Sequence, residues 1–199
     1  MKTLVVYYSF EGNSALVARR LAKQLEADLL QLRCGNEPGS GVMKYIIGGM
    51  EALRGERANL YKIDKDPSAY DFIVIGGPVW AGTMPPALRE FVTQHPFENK
   101  RTAIFASSAS GNASKMLRRL RAMLAGNEVL AELSVKSPLK NKAKTRADID
   151  QFLSEIDRAL GHSEDMAIGR ADLAADSTVR EVTDELAKMV SAEMKKKKK

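Results

Sequence analysis

The chain of 199 residues contains one cysteine, Cys34, and two histidines far apart, His95 and His162. A single thiol cannot close an intrachain disulfide or build a multi-thiolate metal site, and two distant imidazoles do not supply a ligand cluster. No metal is expected. The sequence also lacks the roughly 18 consecutive apolar residues that a membrane span requires. Its start, MKTLVVYY, leads directly into a strand pattern without a cleavage signature, so the expected location is cytoplasmic. Neither GxGxxG nor GxxxxGK[ST] occurs, which removes the common dinucleotide and P-loop fingerprints.

Charge excludes a further class. The formal net charge is +6, but five consecutive lysines at 195–199 account for all of it except a single positive charge. A nucleic-acid footprint is a basic patch on a folded surface, not a terminal tract, so no nucleic-acid partner is expected.

What the chain does have is 44% hydrophobic residues in a length that fits one domain with an extension. TLVVYY (3–8), FIVIGG (72–77) and TAIFASS (102–108) are continuous apolar runs that stop at glycine or small polar residues. Strands covered on both faces of a parallel sheet have this form. DLLQLR (28–33) and VLAELSV (129–135) read as two further strands. Between them, Ala18, Leu21, Ala22 and Leu25 recur at helical spacing, as do Ala87, Leu88, Phe91 and Val92, and a last helix is expected at about 146–160. The expected fold is therefore α/β, a doubly wound five-stranded parallel sheet with a C-terminal helical extension.

Two segments fall outside this alternation. Residues 34–66 are long for a loop, and VMKYIIGGMEALRG within them is expected to form a short helix interrupted by Gly48 and Gly49. From residue 161 an Asp- and Ala-rich linker precedes a segment in which Thr178 and Glu181 have capping-box spacing. Val179, Val182, Leu186, Met189, Val190 and Met194 make one apolar stripe there, so an amphipathic helix is expected before the lysine tract. The expected division is thus residues 1–160 as the domain and 161–199 as linker, helix and Lys-rich tail.

Three loops follow the central strands, and in a doubly wound sheet all three converge on one edge. In the first, YSFEGNS, Ser9, Asn13 and Ser14 offer short polar side chains, Gly12 permits close backbone approach, and the helix that follows presents unpaired N–H groups at its positive dipole end. That combination suits a phosphate. The turn contains no lysine or arginine, which leaves neutral donors to carry the charge. The alternative is that Asn13 or Ser14 merely caps the helix. In the second loop, GGPVWAGTMPP, the only tryptophan, Trp80, sits just past a buried strand in a stiff, proline-rich turn. Its indole offers a flat apolar face to a flat ligand, unless it folds back onto the core. The third, SSASGNAS, supplies donors from Ser107, Ser108, Ser110, Gly111 and Asn112 that suit the polar edge of a ring system.

YSFEGNS, GGPVWAG with PPALREF, and SSASGN, in this order and at these separations, resemble the three flavin-mononucleotide (FMN) loops of flavodoxin-like proteins, over roughly residues 1–160. The resemblance implies a flavodoxin-like fold and FMN as cofactor. It implies that Ser9, Glu11, Gly12, Asn13 and Ser14 surround the flavin phosphate, that Pro78, Val79, Trp80 and Ala81 lie against the ribityl chain and ring, that Ser107, Ser108, Ala109, Ser110 and Gly111 face the isoalloxazine edge, and that Phe10 and Gly82 also belong to the cofactor-binding set. Glu11 departs from the pattern, because many flavodoxins have threonine there. Two unit charges roughly 5 Å apart repel by about 3 kcal/mol at an effective dielectric of about 20, so the carboxylate is expected to point away from the phosphate. The third loop lacks the tyrosine that often covers the outer ring face, which leaves one flavin face open.

Related sheets with other functions fail at named positions. A receiver domain requires acidic residues where Tyr7, Tyr8, Ser9, Gly76 and Gly77 stand, and Cys34 is not in a phosphatase loop followed by arginine. Two functional classes remain. One is an oxidoreductase that takes electrons from NAD(P)H and reduces a quinone or similar acceptor; the other is a non-catalytic electron carrier serving a redox protein partner. Carriers of this kind are usually strongly acidic, and the near-neutral body here favours the enzyme. No side chain is nominated as a catalytic acid or base, since the flavin would carry the chemistry.

An isolated helix of the tail's length is marginal in water, so its stripe needs a partner, either the chain's own domain or a second copy in a homodimer. Five lysines beside an apolar stripe make an anionic membrane surface the less favoured alternative. Deletion of residues 162–199 is expected to leave flavin binding intact while changing oligomeric state or stability, as light scattering, thermal melting and flavin titration of the truncated chain would show. Lost flavin affinity would instead place the tail at the site.

Overall fold

The computed structural model describes residues 1–35 and 58–161. The chain divides into two compact units, Met1–Ile156 and Asp157–Lys199, and the first contains the sheet. The expected short helix within 34–66 and the expected helix of the tail lie outside the described residues.

Five strands, β1 (Thr3–Tyr8), β2 (Asp28–Leu32), β3 (Phe72–Pro78), β4 (Arg101–Ser108) and β5 (Glu128–Lys136), form one sheet in the order β2-β1-β3-β4-β5. Every pairing is parallel. Parallel neighbours need crossover connections, which here carry α1 (Asn13–Gln24), α2 (Pro86–Gln94) and α3 (Ser114–Met123), while α4 (142–161) follows β5. The fold is α/β and doubly wound, as the alternation of apolar runs and helical stripes predicts, and it is the flavodoxin-like fold that the resemblance implies.

The apolar runs become the inner strands because both of their faces are covered. β1 is buried throughout, and β3 and β4 along all but their ends. Leu4, Val6, Tyr8, Ile73, Ile75, Ile104 and Ala106 pack with Leu88 and Phe91 of α2 and Met116 and Leu120 of α3 in one cluster. Alternate residues, including Val5, Val74 and Phe105, turn to the opposite face and are equally buried. The edge strand β5 alternates buried and exposed positions instead, as expected of a strand covered on one face. In α4, Thr145, Ile149, Phe152 and Ile156 are buried at four-, three- and four-residue steps. The helix begins at residue 142, earlier than the apolar stripe indicates, because its first turn is polar and exposed.

The long segment after β2 is closed at its base. Cys34 and Leu60 form an antiparallel bridge, Tyr61 N donates to Arg33 O at 2.9 Å, and Gly35 N donates to Asn59 O at 3.1 Å. The chain then passes through a short 3₁₀ turn, Pro67–Ala69, into β3. Among the described residues no helix is long and apolar enough to cross a membrane.

Close approach fixes one residue of the central strand. Gly76 is the register partner of Phe105, and a Cβ at Gly76 would lie 2.1 Å from the Phe105 carbonyl oxygen and 2.5 Å from its ring. Backbone cannot yield to that contact, so Gly76→Ala is expected to destabilise the domain by about 2–4 kcal/mol in denaturant titrations. A loss below about 0.5 kcal/mol would show that β3 and β4 separate easily.

At the start of the sheet, the buried Tyr70 hydroxyl donates to Asp28 Oδ2 at 2.8 Å, and burial, followed by this hydrogen bond, pushes its phenol up to about 12. The unfolded phenol titrates near 10. The folded state therefore holds the proton more tightly, and the corresponding stability is present below pH 10 and is lost as pH rises through 12. Stability measured between pH 10 and 12 is expected to fall less steeply in Tyr70→Phe than in the parent; equal slopes would remove this phenol from the alkaline transition.

Candidate functional site

The turn after β1 is organised by Ser9. Gly12 is the N-cap of α1, with φ at 86°, and provides no side-chain cap; instead Ser9 Oγ accepts from Ala15 N at 3.1 Å. This frees the two residues that capping would otherwise have explained. Asn13 Oδ1 accepts from Leu139 N at 3.1 Å, and the buried Ser14 and Ser107 hydroxyls are bonded to each other at 2.8 Å. The backbone N–H groups of Asn13 and Ser14 have no acceptor among the described residues. Two first-turn donors thus remain at the positive end of a twelve-residue helix.

The loop after β3 first extends the ladder, with Val79 N donating to Ser107 O at 2.9 Å, and then folds into a tight hairpin. Trp80 and Thr83 exchange two backbone hydrogen bonds of 2.8 Å around Ala81 and Gly82, whose φ values of 45° and 74° are both left-handed. Those are the requirements of a type I′ turn. It holds Trp80 edge-on to Tyr8 at 5.6 Å and to Phe10 at 6.2 Å between ring centroids. The indole is half-buried: it packs against the edge of the core and also lines the cleft described below. The side chain thus packs on the core and faces the cleft at once.

After β4, the small polar residues largely satisfy one another. Gly111 N donates to Ser108 Oγ at 2.8 Å, Asn112 N to Ser110 Oγ at 3.2 Å, and Ser114 N to Asn112 Oδ1 at 3.3 Å. A fourth loop, which sequence reasoning missed, joins these three at the carboxyl edge. Ser137 N donates to Ser108 O at 2.9 Å, and the following residues run along the first turn through the Leu139–Asn13 hydrogen bond. The available signal was modest: a Ser-Pro pair closing a fifth parallel strand, whose end must lie on the same edge as the others.

Together the four loops enclose an open cleft of about 580 Å³. Ser9, Phe10, Glu11, Asn13, Ser14, Pro78, Val79, Trp80, Ser107, Ser108 and Ala109 line it, joined by Ser137, Pro138, Leu139 and Lys140. Gly12, Ala81, Gly82, Ser110 and Gly111 do not; the first three and Gly111 have left-handed backbones that turn the chain, and Ser110 Oγ accepts from Asn112 N. A model of the flavodoxin domain family matches residues 40–148, more than half of the chain.

The chain belongs to the flavodoxin domain family. Among solved structures, this flavodoxin domain is similar to a Lactobacillus acidophilus flavoprotein in complex with FMN, 20% identical, covering 73% of this chain and 98% of that one with a TM-score of 0.58. A protein of Bacteroides eggerthii described as a flavoprotein is 21% identical, with 76% and 98% covered and a TM-score of 0.64. Oxidised flavodoxin 2 of Bacillus cereus is 16% identical, with 79% and 99% covered and a TM-score of 0.52. These identities speak for the fold. No curated protein matches the chain.

Two ionisable residues line the cleft of this flavodoxin domain among those described, Glu11 and Lys140, both exposed. The described lining therefore carries one formal charge of each sign, and its remaining polarity comes from hydroxyls, an amide and backbone N–H groups.

Proposed function

We propose that this flavodoxin domain binds one FMN in the cleft and acts as an oxidoreductase, taking electrons from NAD(P)H and reducing a quinone or similar acceptor. The observation that carries the reading is the pairing, in one cleft, of two helix-terminal N–H groups without an acceptor among the described residues and an aromatic wall of Trp80 and Phe10. A cofactor with a phosphate at one end and a flat ring at the other fits both features. The volume lies within the roughly 300–1,000 Å³ usual for small-molecule sites.

In this proposal the turn from Ser9 to Ser14 holds the phosphate with backbone and hydroxyl donors. Pro78, Val79 and Trp80 flank the ribityl chain and ring, and Ser107, Ser108 and Ala109 meet the ring edge. Bound flavin would supply the redox chemistry, accepting electrons as a pair or singly. The protein's task is to orient that group and to leave one side accessible, for which the open cleft without a covering tyrosine in the third loop provides room. The near-neutral charge of the chain before its lysine tail supports a small-molecule acceptor over steering toward a basic protein partner. Residues 1–160 are proposed to carry this function alone, in the cytoplasm, with the tail available for pairing with a second copy.

Anaerobic stopped-flow mixing of the FMN-loaded protein with NADH and with NADPH tests the enzyme reading. Rapid bleaching of the flavin absorbance by one or both is expected, followed by reoxidation on adding a quinone. No reduction by either nucleotide, with reduction by a one-electron donor protein, would establish the electron carrier instead.

Trp80→Ala is expected to weaken FMN binding by about 1–3 kcal/mol in a fluorescence titration, while the domain keeps a cooperative melting transition. Unchanged flavin affinity with a lost transition would assign Trp80 to the core alone.

A further inference from the structure

The first turn poses an electrostatic problem that its own residues do not solve. A phosphomonoester carries roughly −1.5 to −2 charges at neutral pH, and the turn contains no cation but does contain Glu11. Neutral donors at a helix end recover only part of that charge.

We propose that Lys140, from the loop after β5, supplies a cation that the turn itself lacks and makes the site selective for a phosphorylated flavin over its unphosphorylated form. This rests on the FMN reading above. Three observations place Lys140 in that role. It is the only basic side chain among the described residues lining the cleft. No ion-pair partner engages it among the described residues, whereas the nearby Lys144 is already paired with Asp148 at 2.7 Å. Finally, its backbone is clamped beside the phosphate turn. The preceding residue, Leu139, donates its N–H to Asn13 Oδ1 at 3.1 Å, and its Cδ1 lies 3.7 Å from where a side chain at Gly12 would begin.

The loop itself is held from both sides. Ser137 N is bonded to Ser108 O, Lys140 N donates to Ser137 O at 2.9 Å, and Asn141 Nδ2 donates to Lys136 O at 3.1 Å. With its backbone fixed, only the flexible stem of Lys140 remains to be ordered by a ligand, and a compact ammonium with three donors suits a phosphate oxygen without bidentate geometry. Lys140 and Glu11 then set opposite charges around the same cleft.

The test is a fluorescence titration of wild type, Lys140→Gln, Lys140→Arg and Lys142→Gln with FMN and with riboflavin, which lacks the phosphate. Lys142 carries the same charge two residues on and does not line the cleft, so it controls for the general field. Lys140→Gln is expected to weaken FMN binding about three- to tenfold at low salt and to leave riboflavin unchanged. Lys140→Arg should restore most of the difference and Lys142→Gln should cause none. The gap between wild type and Lys140→Gln should shrink in about 0.5 M salt, where screening shortens to a few ångströms. Equal FMN affinity for wild type and Lys140→Gln, an equal loss toward both flavins, or the same loss in Lys142→Gln would overturn the assignment while leaving the FMN site standing. Failure of the wild type to bind either flavin would remove the FMN reading itself, and this one with it.

Discussion

Parallel pairing is the constraint on which the rest of this molecule depends. In an antiparallel sheet, successive strands end at opposite edges, and the loops that follow them are divided between two ends. Here all four ladders are parallel, so every strand finishes at the same edge and each connection must cross back over a face before the next strand begins. One consequence is burial: the crossing helices cover the inner strands and make the apolar runs of β1, β3 and β4 possible. The other is convergence, which brings residues as far apart as Asn13 and Leu139 into a direct hydrogen bond.

That convergence also explains how the site divides its labour. Left-handed positions at Gly12, Ala81, Gly82 and Gly111 bend the backbone and do not contribute, apart from Gly12's place beneath Leu139, to the cleft wall. Their neighbours form the surface. Ala81 is the least comfortable of them, because a Cβ at positive φ carries a cost that glycine would avoid. The hydrogen bonds at Trp80 and Thr83, reinforced by Arg119 Nη1 donating to Thr83 Oγ1 at 2.9 Å, hold the hairpin despite it. The buried Ser14–Ser107 contact performs a similar service between helix and strand, tying the first turn of α1 to the end of β4.

Legibility followed burial. The inner strands were readable to within about a residue, since a run such as FIVIGG, continuous and bounded by glycine, leaves few alternatives once both faces must be covered. The start of α4 was less readable because polar, exposed residues at 142–144 carry no periodic signal. At the site, residue types announced the first three loops, but not which atoms do what. Ser9 rather than Asn13 or Ser14 satisfies the first turn of α1, a distinction that depends on backbone angles at Gly12. The loop at 137–140 escaped notice for a different reason: its composition is ordinary, and its importance comes from the place where the fifth strand happens to end.

The antiparallel bridge between Cys34 and Leu60 carries a consequence for how such a domain diversifies. The chain ends that flank residues 36–57 are paired backbone to backbone, so the stretch leaving β2 and the stretch leading toward β3 meet in a fixed geometry. Lengthening a closed loop adds only about 0.6 kcal/mol for each doubling. The bridge thus marks two defined positions, at the base of the segment, between which an engineer could exchange chain while the ends that feed β2 and β3 stay paired.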